Sequence, residues 1–274
     1  MSRQDLLDVR THFAFGRNWA SYAETIGDEQ IERASAGLLR LAGEKLRGAR
    51  FLDIGSGSGL HSLAALKLGA REVLAIDLDE HSVGTTQAVL ERHASAGSWQ
   101  VRQSSVFELD RRQAGEFDIA YSWGVLHHTG DLDRALRAAA TFVGSGGIFC
   151  VALYRRTLMC PFWKREKKWY SRTGDRGQRI ARNTFVALLQ IKLALQGKSL
   201  KRYIAAYGQS NRGMDFRHDL HDWLGGYPYE SIAPRELHAI LSSTGLVAER
   251  EFVDGKKRLG VFGSGCDEYV FRRP

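Results

Sequence analysis

The chain has 274 residues, 43% hydrophobic and 26% charged, which is the balance of a globular protein long enough to bury a sizeable core. Its three cysteines, Cys150, Cys160 and Cys266, have neither metal-ligand spacing nor the pattern of a disulfide framework, and a reducing compartment fits best. The formal charge of +8 is concentrated in residues 154–183, which leaves open an anionic partner (nucleic acid or a membrane surface) or a plain solvated helical face.

The N-terminus, "MSRQDLLDVRTHF", is polar and broken. No charged-then-apolar leader and no bilayer-length apolar run is seen, so a cytoplasmic protein is expected. Residues 12–19 bring His12, Phe13, Phe15 and Trp19 together without a clean period, as a packing face or as a cover over a ligand. Further on, Ile31, Leu38, Leu39, Leu41 and Leu46 recur at roughly helical spacing.

From residue 49 short apolar runs alternate with helical ones. "ARFLDIG", "EVLAIDLD", "WQVRQSSV", "FDIAYSWGV" and "GGIFCVALY" read as strands. "GLHSLAALKLGA", closed by Gly69, "HSVGTTQAVLERHAS" and "DLDRALRAAATFV" read as helices between them. This alternation predicts a parallel sheet covered on both faces. It stops at Tyr154, and residues 155–230 are helical or irregular, basic and aromatic. It resumes with "PRELHAILSSTGL", a helix opened by proline, and the strands "VAEREFV" and "DEYVFRR". Four regions follow: a helical N-terminal cover at 1–48, a core at 49–154, an insertion at 155–230, and completion of the sheet at 231–274. The insertion falls over the edge where open α/β sheets bind ligands, so it is placed to be a lid over an acceptor.

"DIGSGSG" supplies Gly55, Gly57 and Gly59 between a strand and a helix N-terminus. The spacing is G-x-G-x-G rather than the dinucleotide G-x-G-x-x-G, and no Lys-Ser/Thr follows as in a phosphate loop. Asp53 before the glycines would repel a pyrophosphate and attract a ligand amine. A nicotinamide dehydrogenase is disfavoured by the same spacing.

"FLDIGSGSG", "VLAIDLDE", "FDIAYSWGVLHH" and "GGIFCVALY", in this order, resemble the successive motifs of class I S-adenosylmethionine-dependent methyltransferases. The resemblance covers about residues 49–154, more weakly 231–273, and is greatest to the small-molecule branch with the ubiquinone-biosynthesis-type O-methyltransferases. It implies an α/β fold with a Rossmann-like doubly wound sheet, mostly parallel with the last strand antiparallel, helices on both faces and a helical lid insertion. It implies S-adenosyl-L-methionine as cofactor and S-adenosyl-L-homocysteine as product. Gly55, Ser56 and Gly57 would line the methionine part within the loop that Gly59 closes, with Asp53 near the ammonium, directly or through water. Asp77 would accept from the ribose hydroxyls, or else cap the next helix, a role open to Asp79 as well. Many members carry an acid after the third strand for adenine. Here Ser105 stands there, and its hydroxyl or the backbone of Val106 would do that work between the apolar walls Leu78 and Phe107. Ser122 and Trp123 would flank the methionine chain. By the same resemblance Trp19 belongs to a covering segment, from which Arg17 or Tyr22 could reach the cofactor carboxylate.

Methyl transfer to a hydroxyl, phenol or amine calls for a base, and histidine is the usual one. His127 follows the fourth strand, as a base or in a structural role, with His128 beside it fixing the loop. His218 and His221, three apart, share a helix face near Asp219 and Asp222, as bases, as hydrogen-bonded orienters or, less favoured, as metal ligands; no metal is expected. The turn from Trp223 to Tyr229 either anchors the lid or lines the acceptor pocket. The expected function is O-methylation of a small, partly apolar metabolite in a biosynthetic or secondary pathway. The alternative is an RNA or protein methyltransferase using the basic lid. No RNA-binding motif is appended and no Asn-Pro-Pro-Tyr-type segment follows the fourth strand, so nucleic acid is not the expected partner. Weak contact with an anionic surface and the oligomeric state stay open, and intact Asp53 and Asp77 speak against a partner protein that has lost catalysis.

Overall fold

The computed structural model describes residues 12–13, 15–94, 97–210, 215–253 and 259–274. The first strand, β1 (Arg50–Ile54), is buried on both sides: Phe51 and Leu52 are adjacent, point to opposite faces, and neither reaches solvent. The strands β2 (Glu72–Asp77), β3 (Ser98–Gln103), β4 (Phe117–Trp123) and β5 (Val143–Tyr154) join it in parallel. β6 (Val247–Phe252) and β7 (Cys266–Arg272) complete a seven-stranded sheet in the order β3-β2-β1-β4-β5-β7-β6. β7 runs antiparallel to both its neighbours, wedged between β5 and β6. The chain runs outward from β1 to β3 and returns to β4. β1 and β4 therefore flank the switch point, where a crevice opens at the strands' C-terminal ends.

Alternation along the strands divides the core into two layers. On one face Leu52, Ile54, Leu74 and Phe149 pack with α6 (Leu132–Ala140) and α11 (Pro234–Ser242). On the other, Phe51, Val73, Ile119 and Ile148 pack with α2 (Asp28–Ala42), α3 (Leu60–Lys67) and α4 (Glu80–His93). A short helix, α5 (Arg111–Ala114), precedes β4. Local chemistry sets the helix starts. Asp79, Asp131 and Asp215 cap α4, α6 and α10 (Phe216–Gly225) by accepting backbone N–H groups, and Pro234 opens α11.

The α/β sheet, mostly parallel with its last strand antiparallel, is as the motifs implied. Several boundaries differ, two of them next to the sheet's ligand edge or its bulge. The helix expected to run to Val143 ends at Ala140, because Val143 begins β5 and pairs with Phe117 ahead of a bulge. The third strand ends at Gln103, and Ser105 and Val106 turn toward the crevice.

Residues 155–230 contribute no strand to the sheet. They form α7 (Cys160–Tyr170), α8 (Asp175–Leu195), α9 (Leu200–Ser210) and α10, with a small core of their own around Trp163, Tyr170, Leu193 and Leu224. Arg155 and Ile232 bridge at the two ends of this excursion, and Arg155 is paired with Asp267 on β7. Ahead of the sheet, α1 (Phe15–Ala23) lies against α4 and α10.

Candidate active site

A cavity of about 1220 Å³ opens above the C-terminal ends of β1, β2 and β4. Its floor is the glycine loop, Asp77 to Asp79, Ser104 to Phe107 and Trp123 to Val125. Its roof comes from α1 and from the helices of residues 155–230, with Leu259 to Gly263 at one side.

The loop is built for close approach. Gly55 and Gly57 have φ of +79° and +54°, the left-handed region that favours glycine. A Cβ on Gly55 would fall 2.4 Å from Val125, and one on Gly57 would fall 3.2 Å from the Trp19 ring that lies over it. Gly59 does not line the cavity; a Cβ there would meet the backbone of Thr86 at 2.9 Å, so it lets α3 approach α4. Asp77 reaches the cavity wall and also braces the loop: Gly57 N–H and Asp79 N–H each donate to its carboxylate at 3.0 Å. Burial pushes this carboxyl up to about 6, against the pull of those bonds. Asp79 is the cap of α4, and its other oxygen accepts Gly16 N–H of α1 at 3.0 Å.

Of the other expected cofactor contacts, Ser56, Leu78, Ser105, Val106, Trp123 and Trp19 all line the cavity, as does Tyr22. The Arg17 side chain lies outside the described residues. Besides Gly59, two expected contacts do not line it. Asp53 is buried on the β1 face shared with Phe51, where it accepts the Ser62 hydroxyl of α3 at 2.6 Å; burial holds its carboxyl up at about 7. Ser122 is fully buried and donates to the carbonyl of Ile54 at 3.1 Å.

The three histidines expected to be bases are all off the cavity wall. His127 is fully buried, its ring 3.9 Å from that of Tyr154, and its Nδ1 accepts the Tyr154 N–H at 3.3 Å. Burial, with His128 and Lys167 nearby, lowers its basicity far below that of free histidine. His218 bonds Asp215 at 2.9 Å and Ser21 of α1 at 3.3 Å. The Nδ1 of His221 lies 2.7 Å from the Tyr170 hydroxyl and 3.1 Å from Arg182, and the ring packs edge-on to Phe13. Burial and Arg182 push His221 down to about 4. His218 and His221 thus peg α10 to α1 and to α7 and α8, respectively.

His128, the neighbour of His127, does line the cavity. Its Nδ1 lies 2.7 Å from the Pro228 carbonyl, to which only a protonated nitrogen can donate, and burial pushes it down to about 3. Two carboxylates of α10 also lie on the wall, Asp219, which accepts the Tyr207 hydroxyl, and Asp222. For Asp222 the surroundings differ. One oxygen accepts the Asn18 amide at 2.7 Å; the other is buried and has no hydrogen-bond partner among the described residues. Burial, with Asp219 near, raises its carboxyl well above the ordinary range. The apolar roof of Phe185, Leu189, Tyr203, Tyr207 and Phe216 gave no motif in the sequence beyond its aromatic density. Among the described residues no group of three or more His, Cys, Asp or Glu is placed to hold a metal ion.

A Rossmann-like sheet with a glycine loop at its switch point and an acid at the end of β2 defines a nucleotide-type cofactor fold. Residues 26–246 match the family described as "Methyltransferase domain", and the chain belongs to it. The resemblance to class I methyltransferases read from the motifs is thereby borne out. The ubiquinone biosynthesis O-methyltransferase of Sinorhizobium fredii (strain NBRC 101917 / NGR234) is 35% identical over 116 residues, 42% of this chain and 45% of that protein. The ribosomal protein L11 methyltransferase of Brevibacillus brevis is 35% identical over 102 residues, 36% of this chain and 32% of that one. The chain therefore spans less than half the length of these curated relatives. The structure of magnesium protoporphyrin IX methyltransferase from Synechocystis PCC 6803 with bound SAH shares the fold, with a TM-score of 0.53 at 15% identity over 92% of this chain and 84% of that one.

Proposed function

We propose that the chain transfers a methyl group from S-adenosylmethionine to an oxygen of a small, largely apolar acceptor. The observation that carries this reading is a single cavity with two unlike halves. Its volume of about 1220 Å³ exceeds the roughly 300–1,000 Å³ of one small-molecule site, which leaves room for cofactor and acceptor together. The polar floor suits the cofactor. Asp77 can accept from ribose hydroxyls, the loop of Gly55 to Gly57 admits the methionine part closely, and Leu78, Val106 and Phe107 offer apolar walls to adenine. The aromatic faces of Trp19 and Trp123 suit a sulfonium, which such faces attract by about 0.5–2 kcal/mol.

Bound S-adenosylmethionine supplies a methyl group on a positively charged sulfur, open to displacement by a lone pair. The chain's own work is alignment and proton removal. Walls on both sides hold the reactants in line, an orientation that contributes about 7–11 kcal/mol in favourable cases. In this reading the proton goes to Asp222, held by Asn18 through one oxygen and unpartnered at the other. His128 is the weaker choice, since its basicity is pushed down to about 3. The raised carboxyl of Asp222 is ionised only as pH climbs, and a cationic ligand in the same cavity favours its ionised form.

Calorimetry tests the reading: the purified chain should bind S-adenosylmethionine and its demethylated product, and binding of neither would sink it. The Brevibacillus brevis relative, named for a ribosomal protein, keeps a macromolecular acceptor as the second reading. The apolar roof favours the small molecule, whereas salt-sensitive retention of RNA or methylation of a protein would favour the second.

A further inference from the structure

Helix α8 is apolar on two opposite sides. Phe185, Leu189 and Leu193 face inward, the first two onto the cavity wall and the third into the small core above the sheet. On the other side Ile180, Ile191 and Leu195 are 65%, 58% and 84% exposed, and Leu188 is exposed with them. At 3.6 residues per turn those four fall within about 80° of arc, so they form one stripe rather than a scatter. Ile204 of the next helix, α9, is exposed too. The cavity rim is apolar and exposed as well, at Tyr203 of α9, Leu259 and Val261.

The charge around the stripe has one sign. Between Asp175 and Asp215 the sequence has no acidic residue, while Arg176, Arg179, Lys198, Lys201 and Arg202 recur along it. We propose that the outer face of α8 and α9 docks on an anionic lipid bilayer, with Ile180, Leu188, Ile191 and Leu195 in the interface and the flanking Lys and Arg at the headgroups. An apolar stripe bordered by cations, on the helix whose other side walls an apolar cavity, fits a bilayer that also supplies the acceptor. A second copy of the chain would bring the same acid-free helices face to face, and like charge opposes that pairing. Nucleic acid would match the charge but leave the aliphatic stripe unburied; single strands prefer aromatic platforms.

The test is flotation of the full chain with vesicles of phosphatidylcholine alone and of equal parts phosphatidylcholine and phosphatidylglycerol. The chain should float with the anionic vesicles, less so at high salt, and scarcely with the neutral ones. The double variant I191E/L195E should weaken flotation by about tenfold or more, and K198E/K201E should erase the preference for phosphatidylglycerol. Both variants should bind S-adenosylmethionine as the parent does, which keeps the docking surface separable from the methyl-transfer reading. No flotation of the parent chain, or equal flotation of I191E/L195E, overturns the proposal. A concentration-dependent dimer lost in I191E/L195E, or salt-sensitive RNA retention, each without vesicle binding, overturns it in favour of a second copy or of nucleic acid.

Discussion

The floor and the roof of the cavity hold their shape by different means. The floor is a set of strand ends and tight turns, where Asp77 ties the glycine loop to the next helix through two backbone N–H groups. The roof is side chain against side chain: rings on α8, α9 and α10, pegged by His221 to Tyr170 and by Asn18 to Asp222. A backbone-built surface fixes one ligand shape, whereas a side-chain surface is easily re-cut. The floor suits the invariant partner of a reaction and the roof the variable one.

The sharpest way to break that division is at Asp222, because the reading places the chemistry's one proton acceptor in the roof. D222N should lower kcat by about 10²–10⁴-fold, the range for loss of a general base, with affinity for the uncharged-sulfur product S-adenosylhomocysteine little changed. The parent's kcat should rise with pH along a limb the variant lacks; steady-state kinetics across pH decides it. Next in size, D77A should weaken cofactor binding by about 100-fold, or ~3 kcal/mol, through lost charge-assisted bonds and a loosened loop. Calorimetry reads this directly, and unchanged affinity would remove Asp77 from the floor's function.

H218A should be milder: a loss of about 1 kcal/mol, or roughly 2–4 °C in thermal midpoint. Its kcat should stay far above the 10²-fold fall that removal of a base brings. A last effect, on stability, is read through pH. The folded-state carboxyl of Asp222 is raised, so its contribution is full below the ordinary value of about 3.9 and lost as pH rises through the raised one. D222N lacks that loss, and melts from about pH 4 to 8 should show it gaining on the parent as pH increases.

The same division governed what could be read from the chain. The place of Gly55, Asp77 and Val106 on the cavity wall was legible because each lies within a few residues of a strand end, where sequence and geometry stay in step. The place of β7 between β5 and β6 was not, since that order depends on pairing between distant segments. Asp53 is off the cavity wall for a local reason: next to the loop in sequence, it shares the β1 face of Phe51 and turns beneath α3 to Ser62. In the roof, His127 and His128 differ by one residue in a single 3-10 turn, and no periodicity tells which faces the cavity. His218, His221 and Asp222 crowd one helix, and only Asn18, far away in the chain, distinguishes the last. Residue type named the candidates there, and tertiary contacts chose among them.

The Asp79 carboxylate, shared between the start of α4 and Gly16 of α1, has a consequence for the entropy of binding. A Cβ on Gly16 would lie 2.6 Å from that carboxylate, so the contact depends on a bare backbone at this position. Through it the covering helix is ordered on the protein's own account, with Trp19 already over Gly57. The conformational freedom of α1 is surrendered at folding and not at the moment of ligand capture. A cover ordered in advance leaves more of the contact free energy to appear as affinity.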